Sequence, residues 1–511
     1  MRRLGSVLIR FAGALLSVGL VAGLLVLPGW GPLPTAATEP LAVAVPAAPT
    51  DLVCPGTARL PTEPEAGDDV AYDPQFDPAP VDAVTGLVAL SVDRPQATAV
   101  EAQVRSLADG TAVADVVPAA GGGATAVSPV DAGTVVHADA SDGGPAWLAG
   151  SVAVTTTAGD LRGLVAASCR PASTEAWLVG GATTLGSSAR LVLANPGRTA
   201  AQVTIELWGA AGPIDLTGAA EYLVPPGAER AVLLEGTAAE QPRLVVHVTA
   251  SGGAVAAYLQ DSELRGLTPA GVDDVVPGSA PALEQVVPGV AVAGTDADGA
   301  DPGMLRLLAP AESGTAHVRV LGPDGEVDLP GATDLELDAG AVLDVPLDGL
   351  AEGTWTIVVD ADVPVVAGAM ITRGSGVGAA EVNTGLPLDR AWAAAVDPAA
   401  SPLALPSGAS WELSLANPGD QAQPAEITVL DDSGSAVATS VVDVAAGSAL
   451  ALVPADLDVP DGASVAGVVL RGEGVSWAAV LEVPDPAGPL VGVLSPVAPR
   501  EPRDAVEVRL D

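Results

Sequence analysis

The chain has 511 residues, of which 49% are apolar and only 3% aromatic; 63 acids face 21 basic residues, all of them Arg, for a net charge of −42. Such a surface repels phosphate backbones and anionic lipid, which argues against a nucleic-acid partner. The apolar content excludes a disordered chain, and the length has room for three or four domains. The apolar residues are mostly Ala and Val, and 59 Gly and 46 Pro punctuate them. Short β-branched runs between turn residues predict an all-β chain of tandem immunoglobulin-like β-sandwiches. The lack of Lys beside abundant Ala, Gly, Val and Asp fits a GC-rich genome and says nothing of mechanism.

Residues 1–34 read as a signal peptide or membrane anchor. Arg2, Arg3 and Arg10 precede an unbroken apolar or small run from Phe11 to Leu27. That run exceeds the usual signal-peptide core of about 7–15 residues and reaches the low end of a membrane span. Trp30 suits the outer interface and the arginines the inner side. The reading is an uncleaved anchor, with a cleaved signal peptide as the alternative, and an extracytoplasmic body in both cases. Residues 35–84, rich in Pro and acids, then read as a spacer.

The first predicted sandwich spans 85–172, with Val100, Ala102 and Val104 alternating against Glu101, Gln103 and Arg105. The two cysteines, Cys54 and Cys169, are expected to pair outside the cytosol and pin the spacer to this sandwich.

The second sandwich, 173–282, shows seven strand-like runs, the immunoglobulin count. Val203, Ile205 and Leu207 face one way and Gln202, Thr204, Glu206 and Trp208 the other. Its pentapeptide Leu193-Ala194-Asn195-Pro196-Gly197 recurs as Leu415-Ala416-Asn417-Pro418-Gly419, although the chain has only three asparagines. The spacing, with a degenerate Leu308-Ala309-Pro310 between, implies units of roughly 110 residues. Asn195-Pro196-Gly197 and Asn417-Pro418-Gly419 read as strand-ending type II turns, with positive φ at each Gly. Each unit is expected to keep its own core and to unfold alone.

The third sandwich, 283–388, carries Ala316, Val318 and Val320 in the inward pattern. Its Asp296, Asp298 and Asp301 form the one candidate metal site, for Ca²⁺, although they lack the spacing of an EF-hand. Gly374-Ser375-Gly376-Val377-Gly378 resembles a phosphate loop but lacks the flanking strand, helix and Lys. The fourth sandwich, 389–488, keeps register through Ala425, Ile427 and Val429, and residues 489–511 read as a tail.

His137, His247 and His317 fall in different units and at no metal spacing. Neither Gly-x-Ser-x-Gly nor His-Glu-x-x-His occurs, so no cofactor and no catalytic residue are expected. The functional expectation is a non-catalytic envelope protein, of scaffold or adhesion type, that binds protein or glycan partners and meets the membrane only through its N-terminal segment. The alternative is a carbohydrate-binding or glycan-processing accessory using an exposed Trp208.

The basic leader, Cys54-Pro55-Gly56, Ser168-Cys169-Arg170-Pro171, Thr268-Pro269-Ala270-Gly271-Val272-Asp273 and the Asn-Pro-Gly units together resemble a family of large secreted actinobacterial proteins catalogued only as a domain of unknown function. The resemblance spans residues 50 to about 485. It implies a cell-envelope setting and no known activity.

Overall fold

The structure, a computed structural model, describes residues 41–44, 48–61, 79, 82–293 (less 96, 120 and 141–143), 303–374 (less 330 and 333), 387–499 and 505–508. The leader, Trp30 and the candidate calcium residues Asp296, Asp298 and Asp301 lie outside them, as does most of the loop after Gly374. Among the described residues no helix is long and apolar enough to cross a membrane. Residues 47–502 form one compact unit. A second unit holds a two-stranded antiparallel ladder, Leu41–Ala44 with Ala505–Val508.

The large unit repeats one eight-stranded motif four times. In the first copy the strands run Thr50–Cys54, Val84–Val92, Ala102–Ser106, Ala112–Val116, Gly122–Val127, Thr134–Ala138, Trp147–Thr156 and Gly163–Ser168. Numbered one to eight, they form a front sheet in the order 1-6-3-4 and a back sheet in the order 5-2-7-8. The second and fourth copies repeat this order. In the third, strands six and seven fuse into Gly353–Arg373, which passes from front to back sheet. The sandwich class is as expected, but strands one and two lie in opposite sheets here, whereas the first two strands of an immunoglobulin constant domain share one.

Two segments read as peripheral belong to sandwiches. Thr50–Cys54, placed in the spacer, is the first strand of copy one, and Leu490–Leu494, placed in the tail, is the eighth strand of copy four. Both are short apolar runs whose partners lie far away in sequence, so local pattern could not assign them. Inward alternation places Val203, Ile205 and Leu207, Ala316, Val318 and Val320, and Ala425, Ile427 and Val429 in the cores.

The outer faces of the sheets are also apolar, and they bury one another in a ring. Val53 and Val135 of the first front sheet pack on Ala256 and Tyr258 of the second back sheet. Trp177, Val179, Trp208 and Val245 of the second front sheet meet Leu308 and Val366 of the third back sheet. Val286, Leu321 and Val358 meet Ala416 and Ala449 of the fourth. Leu430 and Val469 of the fourth front sheet then close on Val88, Leu90 and Val92 of the first back sheet. Every seam joins a front sheet to the next back sheet, a head-to-tail contact that ends because the rotation closes.

Each sandwich keeps a core of its own, but the seams between them argue against the expectation that each unit unfolds alone. A large apolar side chain gains roughly 1.5–3 kcal/mol on burial, so a seam of six or so is worth about as much as a whole domain's stability of about 5–15 kcal/mol. Calorimetry of the intact chain should therefore show one main transition for the ring. Well-separated transitions, one per sandwich, would contradict the shared seams.

Candidate functional site

The eighth strands of the four copies, Gly163–Ser168, Thr268–Val275, Asp389–Ala394 and Leu490–Leu494, sit where the sandwiches converge. Each is an edge strand of its back sheet, so its outer N–H groups need partners that its own sandwich cannot supply. Two buried aspartates supply them. Asp389 Oδ2 accepts from Leu164 N at 3.0 Å and from Val491 N at 2.8 Å, joining copies three, one and four. Asp273 Oδ2 accepts from Trp392 N at 2.7 Å and its Oδ1 from Ala166 N at 3.3 Å, joining copies two, three and one. The approach is close enough to require glycine. A Cβ on Gly163 would lie 2.5 Å from Asp389 Oδ1, and one on Gly492 would lie 2.7 Å from the Ala166 methyl.

Burial pushes Asp389 up to about 7, against the opposing pull of the Val491, Leu164 and Arg390 N–H groups and of Arg162. Burial also lifts Asp273 well above the carboxylate range, and raises Asp274 to about 7. Among the described residues Asp389 Oδ1 has no hydrogen-bond partner, which makes it the oxygen placed to carry a proton.

Buried arginines tie the copies together as well. Arg162 donates to Asp485 Oδ1 and Gly488 O, both at 2.7 Å, linking copy one to copy four. Arg390 pairs with Glu263 and reaches Ala270 O at 2.8 Å. Burial alone would raise Glu263, but Arg390 draws it below its ordinary value. Arg306 forks onto Asp344 at 2.7 and 2.9 Å, donates to Gly181 O at 2.6 Å and lies 5.0 Å from the Trp392 ring centre. In a chain this acidic, several of the few cations are spent inside rather than on the surface.

Residues 124–455 match the family of unknown function DUF5719. The chain belongs to this family. The DUF5719 match starts in the fifth strand of copy one and ends in copy four, so it takes in parts of all four sandwiches. No curated protein and no solved structure matches the chain.

Cys54 and Cys169 are bonded, 115 residues apart. They join the first strand of copy one to the chain just beyond its eighth, front sheet to back, rather than pinning a spacer.

Asn195 and Asn417 are buried and play identical parts. Asn195 donates to Thr199 O and Val224 O and accepts from Gly197 N at 2.9 Å; Asn417 donates to Gln421 O and Val444 O and accepts from Gly419 N at 3.1 Å. The turn is therefore held by the Asn side chain, an Asx turn, and neither Gly197 nor Gly419 has the positive φ expected of a type II turn. The positive φ belongs instead to the facing turn, at Gly227 (67°) and Gly447 (62°). In the degenerate third copy Ala309 takes the Asn place, its carbonyl receiving Gly340 N as Asn195 O receives Gly227 N. Asn417→Ala should cost roughly 2–3 kcal/mol for three lost hydrogen bonds. Gly419→Ala should cost under about 1 kcal/mol, since its Cβ would meet only Asn417 Oδ1 at 3.2 Å. Thermal melts of the two variants check the order.

Trp208 does point out of its own core, but into the seam with copy three. It is 9% exposed and its ring centre lies 5.3 Å from that of Trp177. It therefore forms no exposed sugar platform, because a neighbour invisible to local alternation covers that face. His247 stacks on Trp177 at 4.0 Å between Glu175 and Glu206; His137 bonds Asp51 at 2.6 Å, and His317 faces Asp334. No cluster of three metal-binding side chains occurs among the described residues. Two clefts border copy four: one of about 790 Å³ against copy three, ringed by Glu352, Glu412, Glu482 and Arg373, and one of about 720 Å³ against copy one, lined mainly by Val, Ala and Pro. Sequence reasoning missed the hub entirely, although the unusual Asp273-Asp274 and Asp389-Arg390 pairs inside apolar strand runs were a legible signal.

Proposed function

We propose that the protein is a non-catalytic extracytoplasmic component of the cell envelope, a scaffold or adhesion-type ring that meets protein or glycan partners through its exposed loops and edges. The hub carries this reading. Buried carboxylates with raised pKa are the usual mark of an active site. Here Asp273 and Asp389 are committed to strand N–H groups of other copies, and Arg162, Arg306 and Arg390 to carbonyls and carboxylates across seams. Ionisable chemistry is thus spent on rigidity, which suits a platform. The disulfide supports a compartment outside the reducing cytosol. The glycan-accessory alternative loses the Trp208 platform it needed.

In this reading the N-terminal segment is an uncleaved anchor. N-terminal sequencing of the mature protein should begin at or near Met1; a start near Thr38 or Val45 would mean cleavage. For the setting itself, the full chain carrying a C-terminal epitope should be accessible to antibody once the outer envelope layers are permeabilised but the cytoplasmic membrane is intact. Photo-crosslinking in such cells should capture an envelope component. Cytosolic recovery with both cysteines reduced would overturn the proposal.

A further inference from the structure

We infer that the cleft of about 790 Å³ between copies three and four is a binding site for a short peptide with a free carboxylate and more than one ammonium group, a diamino residue being its anchor. The inference is independent of the envelope reading. The volume lies within the range of small-molecule pockets, about 300–1,000 Å³. Glu412 and Glu482 come from strands two and seven of copy four, Ser410–Asn417 and Ser476–Val483. Ser410 stands opposite Glu482 and Glu412 opposite Val480, so the two carboxylates are diagonal neighbours. Trp411 and Leu413 belong to the core of copy four, and alternation therefore turns Glu412 outward, toward copy three. From that copy, Glu352 just before the fused strand Gly353–Arg373 and Arg373 at its end line the same cleft.

Arg373 is the unusual member. Its Nη1 donates to Ala291 O at 2.8 Å and to Thr372 O at 3.0 Å, which fixes the guanidinium on the cleft wall. Among the described residues its Nε and Nη2 have no acceptor, yet neither is sealed from solvent. Burial pulls its pKa below the ordinary arginine value, while Glu482, Glu412 and Glu352 act in the opposite sense. None of these three carboxylates is hydrogen-bonded or ion-paired among the described residues. Elsewhere between copies this chain pairs its charges directly, Arg162 with Asp485 and Arg390 with Glu263. Here four charges share one cleft unpaired, which suits a ligand better than a structural tie.

The charges specify that ligand. A guanidinium with Nε and Nη2 uncommitted is a fork for one carboxylate. Three carboxylates around it call for more than one ammonium group. The neighbouring sequence cannot supply them: residues 294–302, after the lining residue Ala293, and 375–386, after Gly374, hold four acids and no cation. Val453 and Val480 offer an apolar wall to the aliphatic stem of a diamino side chain.

Isothermal titration of the full chain with the peptide alanyl-lysyl-alanine should give a Kd of about 1 mM or tighter at low salt. The C-terminal amide of that peptide should bind at least about fivefold more weakly, because it lacks the group that the arginine fork takes. A merely acidic surface would instead favour the amide for its larger positive charge. Alanyl-norleucyl-alanine, without the side-chain ammonium, should bind at least about tenfold more weakly. Arg373→Gln should abolish the preference for the free acid. Glu412→Gln, at a partly exposed position, should weaken acid and amide alike while keeping the melting temperature. The peptide comparison on the native chain and Glu412→Gln decide the matter even where Arg373→Gln does not fold. No binding at millimolar peptide overturns the inference. So does an amide or a norleucyl peptide that binds as tightly as the lysyl acid, or binding indifferent to Glu412→Gln. None of these results depends on where in the cell the protein resides.

Discussion

Asp389→Ala is expected to destabilise the ring by roughly 2–6 kcal/mol, because it strands the N–H groups of Leu164 and Val491 in a buried hub, at about 1–3 kcal/mol each. Asp389→Asn keeps an acceptor and should be much milder. The pair of variants also tests the protonation of the site. An aspartate ordinarily titrates at 3.8, and burial raises Asp389 to about 7. Between those values the folded chain holds a proton that the unfolded chain has released. Its contribution is therefore fully present below pH 4 and is lost as pH rises through 7. Asp274, raised to about 7 by burial, acts in the same sense. The melting temperature of the native protein should fall between pH 5 and pH 8, more steeply than that of Asp389→Asn. Parallel pH profiles for the two would show that Asp389 is ionised throughout. Equal stability of Asp389→Ala and the native protein would show that the carboxylate does not hold the hub.

Replacing Cys54 and Cys169 by Ala is the second large change. The bond closes a loop of 115 residues, worth about 4–5 kcal/mol in the chain-entropy account. Both sulfurs are fully buried, and Gly150 packs against Cys169, so the double replacement also leaves a small void beside Val136. The loss should lower the single transition of the ring as a whole, since the first sandwich shares seams with the second and the fourth. Urea unfolding of the oxidised, reduced and Cys-free chains measures it. A Cys-free midpoint unchanged from the native one would mean that the ring, not the bond, constrains this loop.

Of the fold, the sequence by itself settled the all-β class, the repeat and the inward faces. Alternation at Val203, Ile205 and Leu207 and the twin Asn-Pro-Gly motifs are local signals, set by strand geometry and by the residue before Pro. The disulfide was legible because two cysteines have only one pairing. The turn mechanism was misassigned: an Asn side chain can replace a backbone turn, and nothing local says whether Asn195 lies buried or exposed. Trp208 was placed on the correct face but given the wrong surroundings. What covers an outward face depends on residues such as Leu308 and Val366, a hundred or more positions away. The hub was decided by tertiary structure alone. Leu164, Asp273, Asp389 and Val491 lie in four separate sandwiches, and only closure of the ring brings their strand edges within hydrogen-bonding distance. An aspartate inside an apolar strand is costly in any one sandwich; the unpaired N–H groups of its neighbours make it stabilising in four.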